Sequence, residues 1–191
     1  MFKYYHIIKF LMTHDLKFLK ECWGSEFIRR DFKWHRLFKK LLKCQNKYLF
    51  WWRLANEMYQ FGNKDLQRIA KRINNKLIFK YNCDIGLGAK IGIKMTIQHF
   101  IGIVISNKVI IGNNFTCLQN VTIGMGKSEE FNVILGNNVV IGANVCIIGG
   151  KINIGDNVTI GALSFIDKSI PSDCIAYSKL KGITIRSTKN S

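Results

Sequence analysis

A single proline, Pro171, stands among 191 residues. That scarcity excludes a collagen-like chain, and a hydrophobic share of 48% excludes intrinsic disorder, which needs low hydrophobicity. Acidic residues are also few: 12 Asp plus Glu against 29 Lys plus Arg, a formal net charge of +17. Such a chain is drawn to polyanions. The six cysteines (22, 44, 83, 117, 146 and 174) contain no CxxC pair, which removes zinc-ribbon and redox motifs. Their scatter through a lysine-rich chain fits reduced thiols and a cytoplasmic protein. No run of 18 apolar residues occurs, so no membrane span is expected. The opening MFKYYHIIKFLM is too short and too charged for a signal peptide, and no small-residue cleavage site follows it.

What is present divides near residue 82. Residues 1–82 hold 19 of the 29 basic residues and 6 of the acidic ones; 13 of the 16 glycines fall between 83 and 161. The spacing predicts helices over Asp15–Leu19 and Phe27–Leu42, where apolar residues recur at three and four with Arg and Lys between them. A further helix is expected from Tyr48 to the Gly62-Asn63 stop, and another from about Asp65, taken as N-cap, to Phe79. Tyr48, Phe50, Trp51 and Trp52, flanked by Lys43, Lys47 and Arg53, suit either helix packing or a peripheral contact with the inner-membrane surface.

The second part repeats every six residues. Ile85, Ile91, Ile97 and Ile103 set the period; after a two-residue slip Ile105, Ile111, Cys117 and Ile123 continue it. Leu135, Ile141 and Ile147 follow an interruption, and one extra residue at Gly149-Gly150 resets the phase to Ile154, Ile160 and Ile166. A second apolar position recurs four later at Ala89, Phe115, Val121, Val139, Val145 and Val158. Asn or Asp sits at turn positions, as in Asn113-Asn114 and Asp156-Asn157. Each hexad is a short strand and a tight turn, the aliphatic residue pointing into a prism and Gly, Asn or Asp taking the corners. Three hexads make a triangular coil and the coils stack. The expected organisation is a basic helical region over 1–82, a β-helix over 83–177 and a tail over 178–191.

The stretch DIGLGAKIGIKMTIQHFIGIVISNKVIIGNNFTCLQNVTIG, with VVIGANVCIIG after it, resembles the serine acetyltransferase branch of the hexapeptide-repeat acyltransferases, and looks closest to the exopolysaccharide and capsule O-acetyltransferases of that branch. The resemblance implies a left-handed parallel β-helix, a homotrimer or a dimer of trimers with active sites at subunit boundaries, acetyl-CoA as co-substrate, and no metal. By position it implies that His99 is the general base and Asp84, fifteen residues upstream, its orienting carboxylate. Acetyl transfer from a thioester to a hydroxyl needs a base with a pKa near ambient pH and a group to hold its tautomer. The same resemblance places the coenzyme along Gly124, Ala143, Gly161 and Ala162, with Lys168, Lys179 and Lys181 available to its phosphates.

The chain departs from serine acetyltransferases at the acceptor. Gln98 stands where they carry Asp before the catalytic His, and the loop MGKSEEFNVI lacks their Arg-His pair. An α-carboxylate there meets Glu129 and Glu130, which is repulsive. The expected activity is therefore acetylation of a sugar hydroxyl of a bacterial surface polysaccharide or its precursor, with Gln98, Phe100, Glu129, Glu130 and Phe131 contacting the saccharide. Serine O-acetylation is the alternative, and a non-enzymatic polyanion binder a remoter one. No nucleic-acid motif accompanies the positive charge.

Overall fold

The computed structural model describes residues 2–29, 31–41, 44–124 and 133–178. Among these described residues five helices come first: α1 (Phe2–Thr13), α2 (Lys17–Trp23), α3 (Trp34–Lys40), α4 (Cys44–Phe61) and α5 (Lys64–Tyr81), with a π-helical turn at Gly24–Ile28. The continuous helix expected over Phe27–Leu42 is not formed. Arg29 closes the π turn in a left-handed conformation (φ 56°), and helix resumes only at Trp34. Tertiary pairing overrides the periodicity here: the π turn carries Glu26 into the interior, where it meets Arg53. The cap of α5 is Asn63 and not Asp65; its side-chain oxygen accepts from the Leu66 amide at 3.0 Å.

Fourteen short strands among the described residues then form three parallel sheets, the faces of a triangular β-helix. The first face stacks β1 (Cys83–Ile85), β4 (Ile103–Ile105), β7 (Thr122–Ile123), β10 (Cys146–Ile147) and β13 (Phe165–Ile166). The second stacks β2 (Lys90–Ile91), β5 (Val109–Ile111), β8 (Val133–Leu135) and β11 (Ile152–Ile154). The third stacks β3 (Thr96–Ile97), β6 (Thr116–Cys117), β9 (Val140–Ile141), β12 (Thr159–Ile160) and β14 (Ile175–Ala176). Four coils carry a strand on every face, and a fifth follows with β13 on the first face, the Ile154–Ile170 bridge on the second and β14 on the third.

The hexad aliphatics are the core. Ile85, Ile105, Ile123, Ile147 and Ile166 stack on the first face and Ile97, Cys117, Ile141 and Ile160 on the third. All nine are buried. One detail of the expected phase changes. Ile103 pairs with Cys83, and Ile105 with Ile85. The two extra residues therefore lie before β4, in the corner after Ile97, and not after Ile103. Asn114, Asn138 and Asn157 take left-handed corners (φ 57–58°) between the second and third faces, and their side chains hydrogen-bond from coil to coil.

The first coil has an exposed-edge problem that the helices solve. Carbonyls of inward residues point back to the preceding coil: Ile105 O accepts from Gly86 N and Ile111 O from Gly92 N. Coil one has no predecessor, and buried unpaired carbonyls are costly. Helix α4 supplies the donors. Trp52 Nε1 bonds Ile85 O (2.9 Å), Asn56 Nδ2 bonds Ala89 O (3.0 Å), and Arg53 bonds Ile91 O and Gly92 O (both 2.7 Å). Tyr48 adds a longer bond to Cys83 O. Arg53 is held in turn by Glu26, which also accepts from Met95 N. Burial works against the guanidinium charge, and the neighbouring carboxylate more than offsets it, so Arg53 is more firmly protonated than a free arginine. Tyr48, Phe50 and Trp52 are thus buried, and Trp51 half-buried. Of the two readings of this cluster, its burial supports helix packing over a membrane surface. Among the described residues no helix is long and apolar enough to cross a membrane.

Candidate active site

The corners between the third and first faces are not alike. Three of them step six residues between inward aliphatics: Cys117 to Ile123, Ile141 to Ile147, Ile160 to Ile166. The first steps eight, from Ile97 to Ile105, and the bulge so made carries His99. Gln98, His99 and Ile101 are exposed there, and Gly102 takes φ +73°. A side chain at Gly102 would collide with Asn120, so the return of the bulge demands glycine. Its ends are tied down: Gln98 N donates to Cys117 O (3.1 Å), Gly102 N to Asn82 O (2.8 Å), and Asn120 N to Ile101 O (2.9 Å).

Phe100 is the exception within the bulge. It is buried, with its ring 4.8 Å from Tyr48 and 6.1 Å from Tyr81. The expectation that it contacts substrate is corrected on that ground, because its face is used up by the two tyrosines.

Asp84 is the outward residue of β1, between buried Cys83 and Ile85. Partial burial pushes its carboxyl above the usual value. It lines a cavity of about 390 Å³ with Tyr59, Lys71, Asn74 and Ser106, which His99 does not line. The described hydrogen bonds and ion pairs include none between Asp84 and His99. Asp84 sits mid-face opposite Val104, and His99 at the corner leading into that same strand, β4.

The residues assigned to the coenzyme separate onto two corners. Ala143, Gly161 and Ala162 lie between the third and first faces, the corner row that begins with His99. Gly124 and Lys168 lie between the first and second faces. At Gly124 (φ +77°) a Cβ would come within 2.6 Å of Val109, so coil packing already requires glycine there. Ala143 and Ala162 project little, which leaves the corner's backbone uncovered, as a thin pantetheine arm requires. Lys168 is exposed. Glu129, Glu130, Phe131, Lys179 and Lys181 lie outside the described residues. Sequence reasoning missed the Arg53–Glu26 pair; an arginine within the otherwise apolar run Phe50–Leu54 was the available signal.

This arrangement, an imidazole at an expanded corner of a triangular hexapeptide-repeat β-helix, defines the class. No family model matches the chain. Over 132 residues it is 36% identical to a serine acetyltransferase of Staphylococcus aureus, a match covering 68% of this chain and 58% of that protein. The structure of serine acetyltransferase isoform 3 from Entamoeba histolytica in complex with cysteine matches 74% of this chain and 50% of that one, with a TM-score of 0.65 and 28% identity. Soybean serine acetyltransferase complexed with serine matches 71% and 55%, with a TM-score of 0.64 and 26% identity. The chain spans about a third to three-fifths of the length of such curated relatives. These likenesses support the hexapeptide-repeat acyltransferase family for the coiled domain. They correct the expected affinity with capsule and exopolysaccharide O-acetyltransferases, and with it the saccharide acceptor: the matching proteins are serine acetyltransferases.

Proposed function

We propose that the chain is an acetyl-CoA-dependent O-acetyltransferase whose acceptor is serine. The observation that carries this is the match of the chain to serine acetyltransferases in sequence and fold together, one of them solved with serine. His99 is the base. Its neutral imidazole takes the serine hydroxyl proton as the oxygen attacks the thioester carbonyl; the tetrahedral oxyanion collapses, the C–S bond breaks, and the coenzyme A sulfur leaves with the proton from the imidazolium. Asp84, on the strand beside β4, is the carboxylate assigned to the ring by the resemblance, the two sharing no hydrogen bond among those described, and Gln98 beside His99 faces the acceptor. The acetyl donor runs along Ala143, Gly161 and Ala162. Because Lys168 is on a different corner, a groove between neighbouring copies uses both, in keeping with a homotrimer.

The test is thiol release from acetyl-CoA. L-Serine-dependent release is expected from the wild-type protein, falling about 10²–10⁴-fold in His99→Ala with the fold retained. Folded wild-type protein that releases no thiol in response to serine overturns the proposal.

A further inference from the structure

The bulge at 98–102 has one inward anchor. Gln98, His99, Ile101 and Gly102 are exposed, and only the Phe100 ring enters the interior. It does so at the seam between the two regions, against Tyr48 of α4 and Tyr81 of α5, which themselves meet edge to face at 5.5 Å. Tyr48 is fully buried, and its hydroxyl reaches Cys83 O on the strand that carries Asp84. The helices therefore grip the bulge at the residue directly after the imidazole. Neighbouring residues share a peptide plane, so a swing of Phe100 reorients the Cα–Cβ bond of His99. The other corners in this row are two residues shorter and need no such anchor.

We propose that Phe100, clamped by Tyr48 and Tyr81, is the positioning residue for His99. It holds the expanded corner in one conformation and so presents the imidazole in one direction along the edge. This rests on the reading of His99 as base. Displacing a catalytic group by about 1 Å costs on the order of 10²-fold in rate, so the clamp acts on turnover and not on binding.

The experiment combines steady-state kinetics with NMR of the His99 ring, assigned by its loss in His99→Gln. In Phe100→Ala, kcat is expected to fall about 10–100-fold, with KM for serine and acetyl-CoA within about threefold, and the His99 Cε1–H resonance to shift or broaden. Phe100→Tyr, which keeps the ring, is expected to restore kcat and the resonance. Should Phe100→Ala fail to fold, Phe100→Leu keeps an apolar side chain and much of the volume without the ring and is read the same way. A folded variant with unchanged kcat and an unmoved His99 resonance overturns the proposal, as does a change confined to KM. If His99→Ala keeps full activity, the base assignment fails by itself; the resonance in Phe100→Ala still decides whether Phe100 orients the ring.

Discussion

Helix α4 buries Tyr48, Phe50, Trp52, Arg53, Asn56 and Glu57, whereas β9 buries Ile141 and turns Val140 outward. The helical region builds its interior from large, unlike side chains, several of them polar and individually matched to a partner. The coils build theirs from near-identical aliphatics, each resting on its copy in the next turn. Burial in the coils is interchangeable by position; in the helical region it is specific to each residue. The two kinds of core meet where Trp52, Arg53 and Asn56 complete the hydrogen bonds of the first coil.

That contrast can be broken most sharply at Arg53. Arg53→Met leaves Glu26 buried without its cation and removes two donors from coil one. A loss of about 3–5 kcal/mol in denaturant unfolding is expected. The wild-type Glu26 carboxyl is already pushed up by burial, against the pull of Arg53. Without Arg53 it rises further, so the folded variant binds this proton more tightly than the unfolded chain. The deficit should then be greatest above the folded pKa and shrink as pH falls from there toward the pKa of the unfolded chain. A loss below 1 kcal/mol would mean that the helices are not needed to seal the coils. Ile141→Val removes one buried methyl from a column of equivalents and should cost about 1 kcal/mol by the same measurement.

The smallest effect is at Asp84. Its carboxyl is raised by desolvation, so ionisation is disfavoured in the folded chain: the penalty is absent below the unfolded pKa, grows above it and is complete above the folded pKa. Asp84→Asn should melt slightly higher than wild type at neutral pH, the gain fading in acid. A lower melting temperature at neutral pH would instead show that a cation, such as a protonated His99, holds the carboxylate in the assembled protein.

The sequence displayed the coils far better than the helices, for a physical reason. A prism repeats one environment, so its period survives in single residues such as Ile111 and Ile141. The helical region has no repeated environment, and the π turn at Gly24–Ile28 follows from a partner, Arg53, 27 residues beyond Glu26. The two-residue slip is visible in the sequence but its place is not, because Ile103 and Ile105 are both aliphatic and both buried. His99 stood out as a lone histidine after residue 35. The inward turn of Phe100 did not, since an aromatic beside a base suits a ligand platform and an anchor equally. The departures near residues 98 and 125–134 point away from serine, whereas the likeness of the coils as a whole carries the match to serine acetyltransferases.

The seal provided by α4 also orders the protein's birth. Because α4 and α5 precede the coils in the chain, synthesis delivers the docking surface before the strands that need it. The first turn can wind onto a finished platform, and each later turn onto the one just made. A ribosome thus lays the solenoid down from a prepared foundation, with its advancing rim always at the end still being translated.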